Sequence, residues 1–119
     1  MDHGAGPRPP FRVLLRMEIR PGTEREFERT WLEIGRRIAV EPANLGQALI
    51  RDVEDAGVYW VITDWTDEPA FRAFEASAAH VDNRRRLQPF RTGGEMRLTQ
   101  VVHRLRPAAE APPTEAPAL

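Results

Sequence analysis

Nine aromatic side chains serve this chain of 119 residues, and their spacing gathers most of them in one place. Phe27 and Trp31 fall on one stripe of a helix, Leu15 and Met17 on one face of a strand, and Val61 and Trp65 on one face of another. Phe71 and Phe74 follow on a second helix. Rings brought together in this way suit a flat, apolar ligand held by stacking and oriented by few polar groups. The commoner meaning of such a stripe is a plain hydrophobic core, and that alternative stays open.

The polar candidates are few. His80 carries a side chain whose ordinary pKa lies near neutrality, so it could give or take a proton. Its alternative role is to cap the end of the second helix, where a cation favours the helix dipole. Arg84, Arg85 and Arg86 form a run that ordinarily marks a solvated face. One of them could instead hold a phenolate or enolate at a pocket mouth; the catalytic place is assigned to Arg85, with Arg84 and Arg86 as binding residues. Asn44 is either a turn residue or a pocket donor. The strong nucleotide, nucleophile and zinc motifs are absent. His3, His80 and His103 lack metal-ligand spacing, and without cysteine there is no disulfide, thiolate ligand or thiol nucleophile.

These residues need elements to position them. Phe11 to Ile19 alternates with period two, apolar at Phe11, Val13, Leu15, Met17 and Ile19, which predicts a strand ended by Pro21-Gly22. Thr23 to about Val40 predicts a helix: Thr23 and Glu26 have capping-box spacing, and Phe27, Trp31, Ile34 and Ile38 make one stripe. Leu45–Val53 and Val58–Trp65 predict an antiparallel hairpin about Asp55-Ala56-Gly57. On the second of these strands Trp60 and Trp65 point to opposite faces. Thr66 or Asp67 should cap a second helix ending near His80, with a helical turn over Asn83–Phe90 and a last strand over Glu95–Leu105. The order β-α-β-β-α-β is the ferredoxin-like α+β pattern. Two helices on one face leave the other face bare, and a second copy of the chain would cover it, with Trp60 in the interface.

Composition bounds the rest. Seventeen arginines without a lysine and eighteen acidic residues give a net charge of −1, so no global field draws the chain to nucleic acid or an anionic membrane. No apolar run nears the ~20 residues a membrane helix needs, and Met1–Pro10 has no signal-peptide core; the expected location is cytoplasmic. Residues 1–10 and 107–119, rich in Pro, Ala and Gly, are expected to be disordered tails around one domain at 11–106.

Leu14 to Phe27, together with Asp64-Trp65-Thr66-Asp67-Glu68-Pro69-Ala70-Phe71 and the later His80, resembles the antibiotic biosynthesis monooxygenase family over about Phe11 to Leu105. It is most similar to small actinobacterial members associated with aromatic polyketide and spore-pigment pathways. The resemblance implies a dimeric α+β barrel with one pocket per subunit, and oxidation of polycyclic phenols to quinones by O₂ with no flavin, metal or haem. It also makes Trp65 the pocket tryptophan, Phe71 its following aromatic, and one of Arg84 to Arg86 the pocket arginine. Two positions depart from it. Val61 stands where quinone-forming members carry asparagine four residues before that tryptophan. Leu15 stands where haem-degrading relatives carry asparagine on strand one, which disfavours haem degradation. The expected function is a cofactor-independent monooxygenase or oxidase of an aromatic polyketide, with O₂ as co-substrate and a homodimer as the working unit. A polyketide cyclase on the same fold and a non-catalytic polyketide-binding subunit are the rivals.

Overall fold

In a computed structural model of the chain, residues 8–108 are described. Strand β1 (Phe11–Ile19) is followed by helix α1 (Glu24–Ile38), strands β2 (Asn44–Arg51) and β3 (Val58–Trp65), helices α2 (Glu68–Glu75) and α3 (Ala78–Leu87), a 3₁₀ turn over Gln88–Phe90, and strand β4 (Arg91–Gln100). Among the described residues the strands form one antiparallel sheet in the order β2-β3-β1-β4. This is the βαββαβ α+β fold that the element order predicts, with the second helical segment in two pieces.

The alternation in β1 becomes a two-sided strand. Phe11, Val13, Met17 and Ile19 are buried under the helices, opposite Trp65, Thr63, Tyr59 and, in β4, Arg91. The α1 stripe packs on them as its spacing requires: Phe27, Ile34 and Ile38 are buried and Trp31 partly so. Glutamates in its first turn and arginines in its last complement the helix dipole.

Several local expectations fail for identifiable reasons. Thr23 makes no capping box; its hydroxyl donates to the Arg20 carbonyl at 2.7 Å, so the turn through Gly22 takes it instead of the helix. The second helix stops at Glu75, because Ser77 starts a new one. The Ser77 hydroxyl donates to Phe74 O (2.6 Å) and accepts the His80 N–H (3.2 Å), making it the N-cap of α3. His80 therefore sits in the first turn of α3 and cannot be a C-terminal cap. Asp67, not Thr66, caps α2 by accepting from Ala70 N–H at 2.8 Å. β4 begins at Arg91, four residues early, and Gly93 and Gly94 lie inside it, opposite Glu18 and Met17. Gly94 is required there, since a Cβ would lie 2.2 Å from the Arg16 carbonyl oxygen.

Residues 1–7 and 109–119, most of both expected tails, lie outside the described residues. Pro10, placed by its composition in the first tail, is buried, and its carbonyl accepts from the Val101 N–H at 3.1 Å and the Gln100 amide at 3.0 Å.

The face of the sheet away from the helices carries Leu14, Ile62, Trp60, Ala48 and Ile50 across three strands. Ile50 is exposed and Trp60 and Ile62 are half-buried. Arg12 grips Asp64 with two hydrogen bonds of 2.7 and 2.9 Å on the same face. No described helix is long and apolar enough to cross a membrane.

Candidate active site

Between the sheet and its helices lies a cavity of about 280 Å³, near the lower end of small-molecule sites. Val13, Leu15 and Met17 of β1 and Val61, Thr63 and Trp65 of β3 form its floor. Trp31, Ile34 and Ile38 of α1 stand on one side, and Phe71, Phe74, His80 and Arg84 of α2 and α3 on the other. The floor follows from period two on the central strands; the walls follow from helical spacing. Two aromatic contacts shape it: Trp65 and Phe74 centroids are 4.7 Å apart, and Trp65 and Phe71 5.6 Å apart near edge-to-face. The Trp65 indole N–H donates to Thr63 Oγ1 at 2.9 Å, which locks the ring in place.

Of the expected site residues, Trp65, His80, Leu15, Met17, Trp31, Val61, Phe71, Phe74 and Arg84 line this cavity. Four do not. Phe27 is wholly buried in the neighbouring core against Tyr59. Asn44 donates to the Asp64 and Gly46 carbonyls and holds the end of a strand. Arg85 points outward, 75% exposed, 3.7 Å from Asp82. Arg86 pairs with Glu33 at 2.6 Å across the helix interface. Of the three arginines it is therefore Arg84, and not Arg85 or Arg86, that lines the cavity, as helical geometry requires. Residues four apart share a helix face, so the arginine beside His80 must be Arg84, while Arg85 is turned away by a further ~100°.

Arg84 is tethered by donating to the Glu75 carbonyl at 3.1 Å. His80 stacks on Phe74, centroids 4.4 Å apart. Its burial, and secondarily the charge of Arg84, lower its pKa from 6.5 to about 4. The imidazole is therefore neutral at pH 7, with Nδ1 3.3 Å from the Asn83 amide nitrogen. Among polar and sulfur-bearing residues, sequence reasoning missed Gln47, Thr63, Glu75, Arg91 and Met96, which also line the cavity. Thr63 was legible as the residue between Val61 and Trp65 on one strand face. Arg91 and Met96 depended on the start and register of β4, and Gln47 is a polar residue in the middle of an edge strand. Among the described residues no group of three or more histidines and carboxylates is placed to hold a metal ion.

The chain is similar to several known proteins. The family model described as antibiotic biosynthesis monooxygenase matches residues 10–86. Protein SchA of Streptomyces halstedii is 28% identical over 82 residues, covering 69% of this chain but 22% of SchA, so the chain spans about a fifth of that relative's length. The mycobilin-producing heme oxygenase of Mycobacterium tuberculosis H37Rv is 30% identical over 89 residues, covering 72% of this chain and 83% of the enzyme. Among solved structures, SnoaB, a cofactor-independent oxygenase from Streptomyces nogalater, superposes with a TM-score of 0.73 at 24% identity, covering 82% of this chain and 97% of SnoaB. A Caulobacter crescentus protein described as a putative antibiotic biosynthesis monooxygenase matches at a TM-score of 0.73 and 20% identity, over 82% of this chain and 93% of its own.

Proposed function

The chain belongs to the antibiotic biosynthesis monooxygenase family, and from that premise we propose that it is a cofactor-independent oxygenase of a polycyclic phenol of the aromatic polyketide class. The observation that carries the reading is an aromatic-walled cavity with a cation and a neutral imidazole side by side at Arg84 and His80. SnoaB, of the same fold, is a cofactor-independent oxygenase.

In this reading the substrate ring stacks among Trp65, Phe71 and Phe74, and its hydroxyl meets His80 and Arg84. The neutral imidazole accepts the phenol proton, and the guanidinium holds the phenolate so formed. A phenolate is electron-rich enough to pass an electron to O₂; recombination at the ring carbon and loss of water then give the quinone. The balance is one phenol and one O₂ to one quinone and one water. The apolar walls exclude solvent and shelter the radical pair. O₂ is the co-substrate and no further cofactor is invoked.

The working unit is proposed to be a homodimer joined through the outer sheet face, which Trp60, Ile62, Leu14 and Ile50 make apolar. A location in the cytoplasm fits this chemistry.

Oxygen uptake on addition of a planar polyphenol tests the activity. One equivalent of O₂ per quinone supports an oxygenase. Ring closure without O₂ uptake identifies a cyclase, and tight binding without turnover a binding subunit.

A second reading takes haem as the substrate. It is carried by the mycobacterial relative and by His80, whose neutral imidazole faces the cavity and could coordinate iron. Leu15, apolar on the cavity floor, offers haem no hydrogen bond. A haemin titration separates the two readings: a shifted Soret band that His80→Ala abolishes favours haem, and an unshifted band favours the phenol.

A further inference from the structure

Two polar side chains in the cavity floor are left with unused hydrogen-bonding capacity by folding. Gln47 on β2 sits directly opposite Thr63 on β3, on the helix-facing side, and both line the cavity. The Gln47 Nε2 donates to the Gly35 carbonyl of α1 at 2.5 Å. A carbonyl only accepts, so this partner fixes which way the amide lies: its NH₂ meets the helix and its Oε1 faces away. That Oε1 is buried with no hydrogen-bond partner. Thr63 Oγ1 accepts from the Trp65 indole, which leaves its hydroxyl proton to be donated. Residues opposed in antiparallel strands have Cβ atoms about 5 Å apart, so one small ligand group can reach both once a small movement of the Gln47 amide opens its buried Oε1 to the cavity.

A buried acceptor without a partner carries a desolvation cost that a ligand donor relieves. We propose that Gln47 and Thr63 form a hydroxyl-recognising subsite, at which a phenolic O–H of the ligand donates to Gln47 Oε1 and accepts from Thr63. This deepens the phenol reading above and rests on it, by specifying the ligand at a second point away from Arg84 and His80. An ether or carbonyl oxygen in the same place keeps the Thr63 contact but sets lone pair against lone pair at Gln47. The subsite therefore favours a free hydroxyl over a methyl ether or a carbonyl oxygen at that point of the ligand.

The test uses the full chain and tryptophan fluorescence to measure binding of 2-naphthol, 2-methoxynaphthalene and 1,4-naphthoquinone. The wild type should bind 2-naphthol about tenfold more tightly than the ether, the discrimination expected of one buried hydrogen bond, with the quinone no tighter than the ether. Gln47→Met, close in length and volume, should cut the preference to about twofold while binding the ether at least as well as wild type does. Thr63→Val should narrow the preference in the same direction, and it keeps the test alive if loss of the Gly35 bond unfolds the Gln47 variant. Equal wild-type affinity for naphthol and ether, or a preference that survives Gln47→Met, overturns the subsite while the aromatic cavity stands. No binding of any of the three by folded protein overturns both.

Discussion

Two aromatic clusters share one face of the same sheet and end differently. Around Phe27 the packing is closed: Phe27 is fully buried, Tyr59 is 1% exposed, and Phe27 meets Tyr59 edge-on at 4.9 Å. The Tyr59 hydroxyl donates to the Glu28 carboxylate, and burial together with that carboxylate pushes its pKa up to about 12. Around Trp65 the rings are as closely spaced but enclose space. The difference lies in what covers the strands. The first turns of α1, with Phe27, close over the first cluster, whereas over the second the end of α1, with Ile34 and Ile38, shares the cover with two short helices meeting at Ser77. Hydrophobic spacing specifies which residues face inward; the length and break of the covering helices decide whether they meet or leave room.

Phe27→Ala should show the largest effect, a loss of about 3–5 kcal/mol of stability by urea denaturation, because a closed cluster cannot collapse around the void. Its affinity for a planar polyphenol, measured on folded protein, should stay near wild type. Were ligand affinity to fall as steeply as stability, the two clusters would be one site and the distinction between them false.

Trp65→Ala should weaken polyphenol binding by about 1–3 kcal/mol through lost burial and stacking, read from calorimetric titration. An unchanged affinity would show that the open cluster holds nothing.

The three arginines should separate next. If Arg84 holds the phenolate, Arg84→Ala should lower turnover about 100- to 1,000-fold, in the range of losing one donor at a reacting anion. Arg85→Ala, on the solvent side, should leave turnover unchanged and stability within about 0.5 kcal/mol. Equal effects at both positions would remove the rim of the open cluster from the chemistry.

The smallest effect is in pH. The unfolded chain protonates His80 near 6.5 and the folded chain near 4. Between those values the unfolded state binds more protons, so stability falls as pH drops from about 6.5 to 4 and is restored as pH rises. Melting temperatures across that window should show a slope in the wild type that His80→Gln flattens.

Much of the fold was legible because it rests on short-range periodicity. β3 is bounded as its β-branched and aromatic run predicts, and α1 buries its stripe. The missed features depend on partners distant in sequence. β4 starts at Arg91 because Gly94 fits against the Arg16 carbonyl of β1 and Gly93 against the Glu18 side chain, a close approach that two glycines alone read as a turn. The helix break depended on Ser77 outcompeting continuation of α2, and it carried His80 from the end of one helix to the start of another. The aromatic lining was readable from spacing, but Arg84 could be chosen over Arg85 only once the face carrying His80 was known. Gln47 was illegible because its meaning lies in Gly35, on the preceding helix.

The Ser77 cap also bears on how the chain could tolerate changes in length. It fixes where α3 begins, so removal of one residue from 78–83 would slide Arg85 into the place Arg84 now holds, and removal of two would bring Arg86 there. An insertion would bring Asn83 instead and remove the cation from that position. Three consecutive arginines thus make the cationic position robust to deletion and fragile to insertion, an asymmetry that a library of length variants would expose.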